Sequence, residues 1–94
     1  NQIKNVFFRK EQGMMKKFKI GEKGHYPQLY GGTIKFEVVA RTEDTITLLE
    51  NWVAEDTGED VFEKVEYDII RTDETEKILI WEYKGHECMM CPES

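Results

Sequence analysis

The chain has 94 residues, the length of a single domain with no room for a second. Apolar residues make up 39% and charged residues 34%. That is too apolar for a disordered chain and too charged for a membrane span, since uninterrupted apolar runs are as short as Ile78-Leu79-Ile80-Trp81. A small, acidic globular domain of formal net charge −6 is what remains, with little core to spare for an enclosed substrate cavity.

The first residues are read apart from the rest. Lys10-Glu11 can be encoded as a purine-rich ribosome-binding sequence just upstream of Met14 and Met15. The expectation is that translation starts at one of these methionines and that residues 1–14 form a non-native N-terminal extension to a single β domain over 15–94. The rival reading is a genuine short N-terminal helix or strand that uses Val6, Phe7 and Phe8.

From residue 15 onward the hydrophobic period is two. Residues 15–20 predict a first strand, and residues 21–32, which hold Gly24, Pro27, Gly31 and Gly32, a long loop. Residues 33–41 alternate with Ile34, Phe36, Val38 and Ala40 on one face. Residues 45–53 follow, with Ile46, Leu48 and Trp52 on one face. Residues 61–70 place Val61, Val65, Tyr67 and Ile69 together. In residues 77–84, Ile78 and Ile80 lie opposite Leu79, Trp81 and Tyr83, which predicts a central strand covered on both sides, and residues 87–90 predict a short last strand. Polar turns at 42–44, 55–58 and 72–76, and Gly85, separate these runs. The fold class read from this pattern is all-β, an antiparallel meander of five to six strands rolled into a small barrel or sandwich. Successive connections of a meander alternate between its two ends, so the 21–32 loop and the corner at 84–87 share one end, and His25 and His86 with them.

Charge is unevenly spread. Residues 1–13 carry a net of +2, whereas residues 41–82 hold fourteen acidic side chains against four basic ones, a net of −10. Such a surface repels nucleic-acid phosphate, so direct DNA or RNA binding is not expected. It suits a basic protein surface. The acidic turns supply the candidate partner-binding residues Glu55, Asp56, Glu59, Asp60, Asp73, Glu74 and Glu76. The plainer reading is that the acidity serves solubility alone.

One constellation carries possible metal chemistry. The whole chain has two histidines and two cysteines, and three of these four occur in His86-Glu87-Cys88-Met89-Met90-Cys91. On an extended segment His86 and Cys88 share a face, and a turn brings in the second thiolate of the Cys-x-x-Cys. With His25 placed at the same end by topology, the set His25, His86, Cys88 and Cys91 matches a structural zinc site, with Glu22 and Glu87 as substitute ligands. A small domain would gain folding free energy from it. The competing readings are a C-terminal tail with two free thiols and a redox dithiol, the latter lacking its βαβ context.

Other chemistry has no basis in the residues. The loop Glu55-Asp56-Thr57-Gly58-Glu59-Asp60 fails the EF-hand spacing. There is no nucleophile elbow or phosphate loop, and Ser94 is the only serine. No catalytic constellation emerges, so a non-enzyme is expected. Tyr26, Pro27, Leu29 and Tyr30 make an aromatic-rich stretch that either anchors a partner or, the preferred reading, caps the core.

The strand text Thr33-Ile34-Lys35-Phe36-Glu37-Val38-Val39-Ala40-Arg41-Thr42-Glu43-Asp44-Thr45-Ile46-Thr47, with Trp81-Glu82-Tyr83-Lys84-Gly85-His86-Glu87 further on, resembles small β-rich proteins of phages and mobile elements of Firmicutes. In size, charge and style the chain is similar to anti-CRISPR inhibitors, which bind basic surfaces of effector nucleases and block nucleic-acid loading. The resemblance covers most of residues 15–87 and carries over no binding residue. It implies a non-enzymatic inhibitor in the cytoplasm of a bacterial host, with a CRISPR effector nuclease as partner. The chain shows no apolar leader pattern, and two cysteines make no disulfide framework, which fits a reducing compartment. The alternative is a small acidic β domain of housekeeping function with no metal.

Overall fold

A computed structural model describes residues 15–92. The N-terminal extension and its expected short helix or strand lie outside the described residues. Seven strands follow in order: β1 (Lys23–Pro27), β2 (Thr33–Arg41), β3 (Thr45–Val53), β4 (Asp60–Asp68), β5 (Ile70–Arg71), β6 (Glu76–Tyr83) and β7 (His86–Met90). They form an antiparallel four-stranded sheet in the order β1-β2-β3-β4 and a three-stranded sheet in the order β5-β6-β7. The all-β meander holds. The barrel does not, because β4 passes the chain to β5 at Ile69 with no ladder between the sheets; the Ile69 N–H donates instead to the Asp44 carbonyl at 2.8 Å. Among the described residues no helix is long and apolar enough to cross a membrane.

One core lies between the sheets. Ile34, Phe36 and Val38 of β2 and Ile46 and Leu48 of β3 meet Ile78 of β6 and Cys88 of β7, with Phe18, Tyr26 and Ile69 closing the cluster. These are the even-numbered residues of β2 and β3, as the two-residue period requires. The alternation breaks where the ladder bulges, between Val38 and Ala40. The extra residue shifts the parity of the strand. Ala40 is therefore exposed rather than in the core row, and Arg41, opposite Ile46, turns inward. A second bulge between Leu79 and Trp81 sets Trp81 opposite the buried Cys88, on the side of Ile78 and not against it.

The first strand lies later than its sequence pattern predicts. Residues 15–20 make one isolated bridge, Lys16 with Thr75, and no strand. Phe18 enters the core alone, and its backbone is bound by side chains rather than a neighbouring strand. The strand instead occupies 23–27, inside the expected loop, where Tyr26 sits opposite Ile34 and Gly24 opposite Phe36. A Cβ on Gly24 would lie 2.7 Å from the Phe36 ring, so the glycine there is a close-packing residue and not a turn residue. At the β6–β7 turn, Lys84 and Gly85 both have positive φ, 50° and 84°, which matches the twist of a tight hairpin.

Candidate functional site

The acidic side chains fall into two groups. Twelve of the fourteen in residues 41–82 are exposed; Glu50 and Glu76 are buried, at 4% and 0% relative exposure. Glu76 therefore does not belong to the partner-binding surface where its sequence neighbours place it. It is the first inward position of β6, two residues before the core residue Ile78, and the turn residues Asp73 and Glu74 alone remain exposed there.

Glu76 faces Arg41, which the β2 bulge has turned inward. Their side chains pair in a two-pronged contact, Nη1 to Oε1 at 2.8 Å and Nη2 to Oε2 at 2.9 Å. The Phe18 N–H donates to Glu76 Oε1 at 2.9 Å, and Arg41 Nη1 donates to the Phe18 carbonyl at 2.8 Å. Burial by itself would raise the Glu76 carboxyl; the Arg41 bonds, the Phe18 N–H and the nearby Arg71 outweigh it and hold the group below the usual carboxylate range. The Glu76 contact likewise raises the Arg41 guanidinium. This cluster ties the segment before β1, the first sheet and the second sheet to one another.

Glu50 lies on the inward row of β3 between Leu48 and Trp52. It accepts a hydrogen bond from Tyr26 Oη at 2.9 Å on one oxygen and one from Tyr67 Oη on the other. Desolvation, and then the Glu50 carboxyl beside them, push both phenols above their ordinary value, so both hydroxyls are protonated donors at neutral pH. The inward face of β3 thus carries a polar bridge from β1 to β4. The sequence signal for both buried glutamates was their place on an apolar alternating row, Ile46-x-Leu48-x-Glu50-x-Trp52 and Glu76-x-Ile78.

The four residues expected to share a zinc ion do not form one group, although His25 and Cys91 line the same hollow. His25 is opposite Lys35 in β1, on the face turned away from the core. His86 is exposed beside the β6–β7 turn, opposite Tyr83. Cys88 is buried opposite Trp81, and burial raises its thiol. Cys91 is exposed and lines a hollow of about 80 Å³ with His25, Glu22 and Met90. Both thiols are free. Among the described residues no group of three or more His, Cys, Asp or Glu side chains is placed to hold a metal ion. The reason is the position of β1: once residues 23–27 form a strand, His25 belongs to a sheet face and not to a loop at the end that His86 occupies. Glu87 is exposed and opposite Glu82, on the side of β7 away from Cys88.

The aromatic stretch divides. Tyr26 is in the core at 4% exposure, whereas Tyr30 is 87% exposed and meets Tyr83 edge-on, with ring centroids 6.5 Å apart. Trp81 Nε1 donates to the Pro27 carbonyl at 3.0 Å, so the β1–β2 loop and the β6–β7 hairpin meet at one end.

Eleven of the twelve exposed acids lie on β4 or in the turns at the two ends of the first sheet; the twelfth, Glu82, is on β6. Glu55, Asp56 and Glu59 lie in the β3–β4 loop at one end of the first sheet, with Asp60 beginning β4. At the other end Arg71 bridges Asp44 at 3.3 Å and Glu43 at 3.4 Å, which brings the β2–β3 and β5–β6 turns together beside Asp73 and Glu74. The edge strand β4, with exposed Glu63, Glu66 and Asp68, runs between these ends. No family model matches the chain, and neither does any curated protein or solved structure.

Proposed function

We propose that the protein is a non-enzymatic binding protein that presents its acidic tract to a basic, nucleic-acid-binding channel of a larger protein, in the manner of an inhibitor of an effector nuclease. The observation that carries this reading is the row of exposed carboxylates along the β3–β4 loop and the β4 edge. Burial of Glu50 and Glu76 removes two acidic groups but leaves twelve in solvent. A dense acidic row on a rigid sheet resembles a nucleic-acid backbone in charge and steers basic partners toward it. The phage and mobile-element resemblance supports an anti-CRISPR role in a bacterial cytoplasm. The proposal requires no metal ion.

The test is competition. Purified RNA-guided effector nucleases of several types are titrated with the chain, and their binding to target DNA is followed by mobility shift at low and high salt. The expected result is loss of DNA binding for one type, weakened by salt and abolished when Glu55, Asp56, Glu59 and Asp60 are changed to Lys. DNA binding that persists for every type at saturating protein would overturn the inhibitor reading and leave the acidity as a solubility feature.

A further inference from the structure

We propose that the free edge of β4 receives an extended segment of the partner as an added strand, and that this segment alternates basic and apolar side chains. The proposal rests on the acidic-tract reading and adds to it the mode and pattern of recognition. β4 is paired to β3 over its whole length, from Val53 opposite Asp60 to Thr45 opposite Asp68. Among the described residues no strand pairs with its other edge. Every second N–H and C=O along that edge points away from β3, a template for main-chain pairing. By contrast β5 is only two residues long and the β1 edge only five.

Two rows of side chains flank the β4 edge. On the core side lie Val61, Val65 and Tyr67, each half-buried, with the exposed Glu63 among them. On the outer side lie Asp60, Phe62, Lys64, Glu66 and Asp68, all exposed. An added strand keeps its alternate side chains level with these two rows. Its core-side positions would complete the cover over Val61, Val65 and Tyr67 and so favour apolar residues. Its outer positions would lie beside Asp60, Glu66 and Asp68 and favour Lys or Arg. Charge decides between occupants. β4 has a net charge of −3, and pairing two copies antiparallel about Lys64 would set Asp60 against Asp68 at both ends and Lys64 against Lys64. Like charges directly opposite are destabilising, so a second copy of the chain is disfavoured and a basic strand is favoured.

The probe is a fluorescein-labelled nine-residue peptide that alternates lysine and valine. The control is the same peptide with every backbone nitrogen methylated, which keeps charge and side chains but removes the donors needed for a ladder. On the full chain, the parent peptide is expected to bind at least about tenfold more tightly than the control and to slow amide hydrogen exchange in β4 but not in β1. A Glu66→Lys/Asp68→Lys variant, with circular dichroism unchanged, is expected to lose about tenfold in affinity. Equal binding of parent and methylated peptides would overturn strand addition while leaving the acidic-tract reading standing. Binding of neither, or exchange protection at β1 in place of β4, would overturn the proposal, and the nuclease competition would then judge the acidic tract separately. A stable dimer with β4 amides protected in the absence of peptide would overturn the choice of occupant.

Discussion

Two glutamates do opposite work from their exposed neighbours. Glu76 is wholly buried against Arg41, and removing one partner of a buried ion pair strands the other charge in the core, at a cost of about 3–5 kcal/mol. Arg41→Met is therefore expected to lower stability by that order in urea unfolding, whereas Arg41→Met with Glu76→Leu recovers only part of the loss: no charge is left unpaired, but the Phe18 N–H and carbonyl lose their partners. The acid limb follows from the sign of the shift. The folded-state carboxyl of Glu76 is held below its ordinary value of 4.5, so its stabilising contribution is complete above about pH 4.5 and disappears as pH falls through the folded value. Unfolding measured between neutral and acid pH should show a shallower acid decline in Glu76→Gln than in the parent. At the alkaline side the phenols of Tyr26 and Tyr67 are raised above their ordinary value of 10.0, so their contribution is complete below about pH 10 and is lost as pH rises through the folded values. Absorbance titration should therefore show two of the four tyrosines ionising late, together with alkaline unfolding. Tyr67→Phe leaves one Glu50 oxygen without its donor in a buried place, and a loss of roughly 1–3 kcal/mol is expected in the same urea assay.

At the scale of the element, the bulges and β1 are decisive. An alternating row is a statement about one face only while the ladder stays in register. The bulge in β2 ends that condition one residue before Ala40, so an apolar residue goes out and Arg41 comes in. Nothing in the residues 33–41 marks the bulge; it follows from what β2 must meet across the core. β1 was hidden for another reason. Its alternation consists of Gly24 and Tyr26 between Lys23, His25 and Pro27, which reads as turn chemistry because glycine and proline usually punctuate loops. The Phe36 ring occupies the space a Cβ at Gly24 would need. Gly24→Ala is therefore expected to destabilise by about 1–3 kcal/mol. Adding Phe36→Leu to that variant should cost less than Phe36→Leu costs in the parent, a coupling that a double-mutant thermal-melt cycle measures.

At the scale of the whole molecule, the first sheet carries its acidity at one edge. Lys23 and Lys35 lie on the β1–β2 side, and Asp60, Glu63, Glu66 and Asp68 on β4. Lysine substitutions at Glu63 and Glu66 should therefore weaken binding to a basic partner more than equal changes at Asp73 and Glu74, which lie beyond the end of the strand. Parallel salt titrations of the variants against one basic partner would measure the difference. The tract also explains why a long edge strand is tolerated, since charge on an edge resists pairing with a like copy.

The strands over 33–41 and 45–53, a short last strand read at 87–90 and found at 86–90, the all-β class and the net charge of residues 41–82 were legible in the residues alone, because period-two alternation and composition are local properties of the chain. The burial of Glu50 and Glu76 was not read from the residues, and it is the packing of the second sheet on the first that gives them Tyr26, Tyr67 and Arg41 as partners. The placing of His25 on a sheet face, the choice of two open sheets over a closed barrel, and the joining of the acidic β2–β3 and β5–β6 turns by Arg71 are likewise tertiary outcomes. Each depends on which strands pair and where a ladder slips by one residue. Those choices are made between segments distant in sequence, by the fit of one sheet against the other.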